Sequence, residues 1–238
     1  MNYYSKYLKY KEKYINLKKM IGGDIESEVL KELSDEDIIY LSDDFFKQLK
    51  EIYPSCKHDV GKLSNTYDEH HITYGEMEYE GIQTLLNKLN QKFNNFIDLG
   101  SGRGKLPLYV ANYPDITNSI GVELVKERYE DALIIKDKLY NFNEITDKVK
   151  FINDDFININ LSNYTNGLTL VWISNFCFSQ DLSNRIFKKL IQVLSAGSII
   201  CSSKEHNLTT NNLVNIGKLP IKMSWYNEST VYIYKIQK

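Results

Sequence analysis

Cysteine, proline and arginine are all scarce in this 238-residue chain, and each shortage closes off a class of protein. Three cysteines, Cys56, Cys177 and Cys201, are odd in number, form no C-x-x-C pair and stand near no histidine cluster. A disulfide framework and a structural zinc site are therefore not expected, and reduced thiols are. Four prolines and twelve glycines leave no low-complexity tract, and no internal repeat is present. Because no run of about 18 apolar residues occurs and the opening MNYYSKYLKYKEKY has no apolar stretch, neither a membrane span nor a secretory leader is predicted. An intracellular protein is expected. Arg103, Arg128 and Arg185 are the only arginines, and the net charge of -2 excludes a uniformly basic nucleic-acid binder. What remains, 42% hydrophobic and 25% charged residues, is enough for one large globular domain, alone or with an appendage.

The charge is unevenly placed. Residues 1–23 hold Lys6, Lys9, Lys11, Lys13, Lys18 and Lys19 against Glu12, whereas residues 24–51 hold ten acids against three lysines. Tyr3, Tyr7, Tyr10, Tyr14, Leu17 and Ile21 recur at alternating spacings of four and three, a heptad seam on one face of a helix that Gly22 and Gly23 end. Such a helix can dock on the domain or on a second copy with its lysines merely solvated, or it can present them to a polyanion such as DNA. The organisation read from these patterns is a basic amphipathic helix over 1–23, an N-terminal helical region over 24–72 and an α/β domain over 73–238.

From about Phe93 onward, short apolar segments alternate with amphipathic ones, the pattern of a parallel sheet with crossover helices. Strands are predicted at 95–99, 119–124, 149–153, 168–173, 197–202, 218–225 and 230–236, with helices near 77–92, 104–112, 125–140 and 181–194. The link between the last two strands, Tyr226 to Ser229, is too short for a parallel crossover, so that pair is expected to be antiparallel.

The most informative stretch is Phe96-Ile97-Asp98-Leu99-Gly100-Ser101-Gly102-Arg103-Gly104, an apolar strand running into three alternate glycines and then a helix. A Walker phosphate loop is excluded, since Leu99 stands where its first glycine is required and Leu106 replaces the magnesium-binding hydroxyl. The dinucleotide fingerprint fails too, because Lys105 occupies the place of its third glycine. The stretch resembles instead the donor loop of class I methyltransferases, which have a Rossmann-like seven-stranded fold and bind S-adenosylmethionine; a purely structural glycine turn is the alternative. Glu123 ends the next strand, where an acid can accept from both ribose hydroxyls, or can simply cap the following helix. Asp154-Asp155-Phe156 closes the third strand; Asp155 is favoured as acceptor from an adenine amine, with Phe156 covering its face.

Five blocks in order, from about Thr73 to the C-terminus, resemble the disruptor-of-telomeric-silencing (Dot-one-like) family of histone lysine methyltransferases. They are Thr73-Tyr74-Gly75-Glu76; Asp98 to Gly104; Gly121-Val122-Glu123; Ser174-Asn175-Phe176-Cys177-Phe178 with the later Ser202-Ser203-Lys204; and Ser224-Trp225 with Tyr232. The resemblance implies that Tyr74, Glu76, Asp98, Gly100, Gly102, Lys105, Glu123, Asp155 and Phe156 bind the donor. It implies that Ser174, Asn175, Phe176 and Phe178 border the transferred methyl and that Trp225 and Tyr232 wall a lysine channel. Without the family pattern, these aromatics read more readily as core or packing residues. No metal is implied, and His58, His70, His71 and His206 need no catalytic role. Ser174 replaces the family's first asparagine and Lys105 its glutamine, while the segment 204–217 contains no arginine with which to grip a nucleosome.

The expected function is therefore methyl transfer from S-adenosylmethionine to a lysine of a nucleosomal core histone, most readily histone H3, with the N-terminal lysines touching DNA. The alternatives are a lysine methyltransferase for a non-histone or viral protein, and a catalytically weak chromatin-binding module. The Lys-Tyr-rich leader also resembles those of large DNA viruses. The expected location is the nucleus or, for a viral member, the host nucleus or a cytoplasmic viral factory.

Overall fold

Three of the seven strands are buried along their whole length, because helices cover both faces of the sheet they form. They are β1 (Asn95–Leu99), β4 (Thr169–Ile173) and β5 (Ile199–Ser202). The others are β2 (Asn118–Glu123), β3 (Val149–Asn153), β6 (Leu213–Ile221) and β7 (Ser229–Ile236). All belong to one sheet of order β3-β2-β1-β4-β5-β7-β6. The first five strands are parallel, whereas β7 runs antiparallel between β5 and β6. The computed structural model describes residues 44–53 and 75–238. Of two compact units, Met1–Glu51 and Ile52–Lys238, the second contains the sheet. Residues 44–52 are helical; the proposed basic helix with its six lysines, Cys56, His58, His70, His71 and Tyr74 all lie outside the described residues.

The helices of this unit are α1 (Tyr79–Leu89), α2 (Lys105–Ala111), α3 (Lys126–Lys138), the single turn α4 (Asn143–Thr146) and α5 (Gln180–Val193). Local chemistry explains their limits. The hydroxyl of Ser179 accepts from the Leu182 N–H to open α5, and Ser183, Ile186, Phe187 and Leu190 put one buried stripe on the sheet. Pro107 sits in the first turn of α2, where its missing N–H has no intrahelical use. Side chains such as Ile97, Val171 and Ile200 are fully buried, each contributing about 1.5–3 kcal/mol of hydrophobic stabilisation.

The strand expected at 218–225 is instead Leu213–Ile221. A register shift between Asn215 and Gly217, with Gly217 at φ +146°, breaks the period-2 pattern on this exposed edge. Residues 222–224 leave the sheet and run beside residues 76–78, lengthening the link to β7. The antiparallel pairing of these last two strands is as the sequence predicts. From β1 the chain fills the sheet first toward β3, then returns to β4, so the β1/β4 boundary is a switch point where a crevice opens at the carboxyl ends of the strands.

Candidate functional site

That crevice is a cavity of about 350 Å³, within the range of small-molecule sites. Its floor is the turn after β1. Gly100 and Ser101 both donate their N–H to the Val122 carbonyl, at 2.8 and 3.0 Å, and Gly104 donates to Ser101, at 2.9 Å. Gly100 has φ +90°, and a Cβ there would meet nothing within 4 Å, because it would project into the cavity. Glycine thus gives a ligand access to bare backbone.

The electrostatics are dominated by carboxylates. Asp98 is 3% exposed and its Oδ1 has no hydrogen-bond partner. Burial pushes its pKa well above the usual carboxylate value, and the neighbouring Glu123 and Glu76 push it further. Glu123 is also buried, but each of its oxygens has a partner: Oε2 accepts from the Gly102 N–H at 2.7 Å and Oε1 from the Val125 N–H at 2.9 Å. Burial raises its pKa, while those N–H groups and the Arg128 guanidinium oppose the rise. The carboxylate therefore ties the glycine turn to the start of α3 and keeps further lone pairs for a ligand.

At the opposite wall, Lys105 Nζ lies 3.2 Å from Glu76 Oε2, 3.7 Å from Glu78 Oε2 and 4.6 Å from the centre of the Tyr79 ring. Beyond β3, Asp154 Oδ1 accepts from the Asp155 N–H, and Asp155 Oδ1 from the Ile157 N–H. Of the two, Asp155 lines the cavity together with Phe156, whose ring centre is 5.8 Å from that of Phe178.

The structure thus brings Glu76, Asp98, Gly100, Gly102, Lys105, Glu123, Asp155, Phe156, Ser174 and Phe178 around one cavity. Four further residues singled out in the sequence stand off it. Asn175 is fully buried, its Oδ1 accepting from the Lys204 N–H at 2.9 Å and from Ser203 Oγ at 3.3 Å. It pins the end of β4 to the end of β5. Phe176 is 67% exposed beside it. Tyr232 is half-buried on β7 against the core, and Trp225 is half-exposed and covers Gly75.

Some cavity residues carried no motif. Arg128, Arg185 and Asp181 line it, so two of the chain's three arginines face one site. The rarity of arginine beside so many lysines was the one signal that could have drawn attention to them. His206 lies outside the cavity, stacked near Phe187 and Tyr234, with Nδ1 accepting from the Leu208 N–H and its pKa lowered by burial. Among the described residues, no group of three His, Cys, Asp or Glu side chains is placed to hold a metal, and no helix is long and apolar enough to cross a membrane.

Comparison with known proteins gives the same picture from another direction. The family described as "Histone methylation protein DOT1" matches residues 53–227. A Caenorhabditis elegans protein named "Histone-lysine N-methyltransferase, H3 lysine-79 specific" is 30% identical over 175 residues, 64% of this chain and 18% of its own length. A Drosophila melanogaster protein of the same name is 29% identical over 182 residues, 72% of this chain and 10% of its own. The chain thus spans less than a fifth of the length of these curated relatives. Among solved structures, a methyltransferase from Geobacter sulfurreducens superposes with a TM-score of 0.52 at 12% identity, covering 79% of this chain and 95% of that one. A putative methyltransferase, yhhF, from Escherichia coli gives 0.52 at 13%, covering 68% and 88%. At such identities they show the fold alone: a Rossmann-like, class I methyltransferase architecture.

Proposed function

The chain belongs to the DOT1 family of histone methylation proteins, and from that membership we propose that it transfers methyl groups from S-adenosylmethionine to a lysine of a nucleosomal core histone. Histone H3 is the first candidate, since the curated relatives are named for its lysine 79. The catalytic portion is assigned to 73–238.

The observation that carries the reading is the cavity at the β1/β4 switch point, where Asp98, with its Oδ1 unpartnered, converges with Glu123 and Glu76 on a glycine turn. Such a concentration of negative charge suits a ligand bearing a cation. When bound, S-adenosylmethionine supplies an activated methyl group on a cationic sulfonium. Asp98, Glu76 and Lys105 would hold its amino-acid end, with Tyr74 contributing from outside the described residues; Gly100 and Gly102 would give it close backbone approach. Glu123 would take the ribose hydroxyls, and Asp155 with Phe156 the adenine.

On the acceptor side, a lysine with a pKa near 10.4 is protonated at pH 7 by about 3.4 units, a cost of roughly 4.6 kcal/mol before its amine can attack. Aromatic, water-poor walls reduce that cost by disfavouring the ammonium. Ser174 and Phe178 at the cavity, with Phe176, Trp225 and Tyr232 outside it, are assigned to that entrance, and Asn175 fixes the turn that carries Ser174, Phe176 and Phe178. Holding amine and methyl in line supplies much of the rate, so no general base is required of the chain.

The lysines of residues 1–23 are assigned to DNA phosphates, and the site of action to the nucleus, or to a viral factory if the protein is viral. The arginine-free segment 204–217 favours a second reading, a non-histone acceptor. Incubation with labelled donor and nucleosomes, free histones or a whole lysate separates these. Label on H3 in nucleosomes is the expected result. Label confined to a non-histone protein would support the second reading, and donor binding without transfer to any acceptor would leave a chromatin-binding module.

A further inference from the structure

Trp225 does not line the cavity, yet it touches a segment that does. Gly75, Glu76 and Met77 form one wall, and residues 76–78 run antiparallel to residues 222–224 of the link between β6 and β7. The Ser224 N–H donates to the Glu76 carbonyl at 2.8 Å, and the Glu78 N–H to the Lys222 carbonyl at 3.0 Å. The Glu76 N–H donates to Ser224 Oγ, also at 3.0 Å. Beneath this two-stranded contact, Met77 and Met223 are buried. At its end, the indole of Trp225 lies so close over Gly75 that a Cβ there would overlap its six-membered ring. Glycine at 75 admits this stack, because any side chain there would have to displace the indole. The next residue along, Glu76, is the partner of Lys105.

We propose that Trp225 is a positioning residue for the methyl donor. By capping Gly75 it holds the 75–78 segment against the 222–224 link, and so sets Glu76 and Lys105 in register with the glycine turn. This role rests on the donor-site reading above and is additional to the place of Trp225 at the lysine entrance, from which it is told apart because it acts on the donor side. A channel wall would alter turnover and leave donor binding intact. A residue that fixes the donor segment alters donor binding itself, through ordering energy that the ligand must otherwise supply.

The test combines calorimetric binding of S-adenosylmethionine, melting curves and amide hydrogen exchange on Trp225→Ala, Trp225→Phe, Gly75→Ala and the double variant Gly75→Ala/Trp225→Ala. Trp225→Ala is expected to weaken donor binding about tenfold, with Trp225→Phe recovering most of it and the fold's main melting transition retained. Gly75→Ala should do similar harm, and the double variant should be no worse than the poorer single one, because both changes break one contact. In the ligand-free protein, Trp225→Ala should lose exchange protection at Glu76 and Glu78. Unchanged donor affinity in Trp225→Ala, additive losses in the double variant, or retained protection at those amides would each overturn the proposal. A wild-type protein that binds no S-adenosylmethionine would overturn the functional reading instead, while the exchange measurement still decides whether Trp225 holds the segment.

Discussion

Asp98 illustrates how one residue can serve a ligand at the expense of the fold. Its carboxylate is buried, its Oδ1 is unpartnered and two other acids stand near, so the folded state pushes its pKa up. A raised carboxylate pKa means that this group favours folding fully only below its unfolded-state pKa. That contribution is lost as pH rises through the folded-state value. Replacing the charge by an amide removes the penalty. Asp98→Asn is therefore expected to melt at a higher temperature than wild type at pH 8, with the difference shrinking as pH falls into the carboxylate range. The same change should weaken S-adenosylmethionine binding at least tenfold, about 1.4 kcal/mol. Melting curves across pH and titration calorimetry check both halves; a lower melting temperature at pH 8 would mean that the carboxylate is compensated. The place of Asp98 and Glu123 at the cavity was legible because both acids stand at the carboxyl ends of parallel strands beside a glycine turn, although Glu123 also holds the start of α3. Arg128 and Arg185 were not, since helical residues with no motif reach the cavity only through the packing of α3 and α5.

At the level of elements, the junction between the ends of β4 and β5 depends on Asn175. Its carboxamide accepts from the Lys204 N–H and Ser203 Oγ and donates to the Lys204 carbonyl at 3.4 Å, while Lys204 Nζ reaches the Phe178 carbonyl at 3.0 Å. The turn after β4, which borders the cavity through Ser174 and Phe178, and the turn after β5 are thereby one piece. Truncation in Asn175→Ala strands buried polar groups at about 1–3 kcal/mol each. The melting temperature is expected to drop by about 2–4 °C per kcal/mol for a domain of this size, with turnover falling alongside. A thermal melt showing no change would place the junction's strength elsewhere. In the sequence, Asn175 read as a residue bordering the transferred methyl, because a motif records identity and not the direction in which a side chain points. The strand starts were legible for β1 and β3, where apolar runs are sharply bounded. The course of β6 was not, because an exposed edge with a bulge at Gly217 keeps no alternation to read.

For the whole molecule, the parallel direction of the first five strands follows from alternating strands and helices, whereas their order and the insertion of β7 between β5 and β6 leave no periodic trace. Charge is the other property of the whole chain. Lys6, Lys9, Lys11, Lys13, Lys18 and Lys19 precede a strongly acidic stretch. If those lysines meet DNA phosphates, each contact releases counterions and affinity falls steeply with salt. Deleting residues 1–20 should then reduce methylation of nucleosomes, flatten its salt dependence and spare donor binding. Equal activity of the shortened and intact proteins from low to physiological salt would remove DNA from the list of partners of that segment. The pairing of residues 76–78 with 222–224 has a consequence in time as well as in space. Its hydrogen bonds close a separation of 148 residues, and contacts so distant in sequence form late in folding because their loop entropy must first be overcome. The parallel strands can assemble before this contact exists, so a chain arrested at that stage would have native secondary structure and no donor site. Recovery of ligand binding on refolding would then report the last step of folding and not the first.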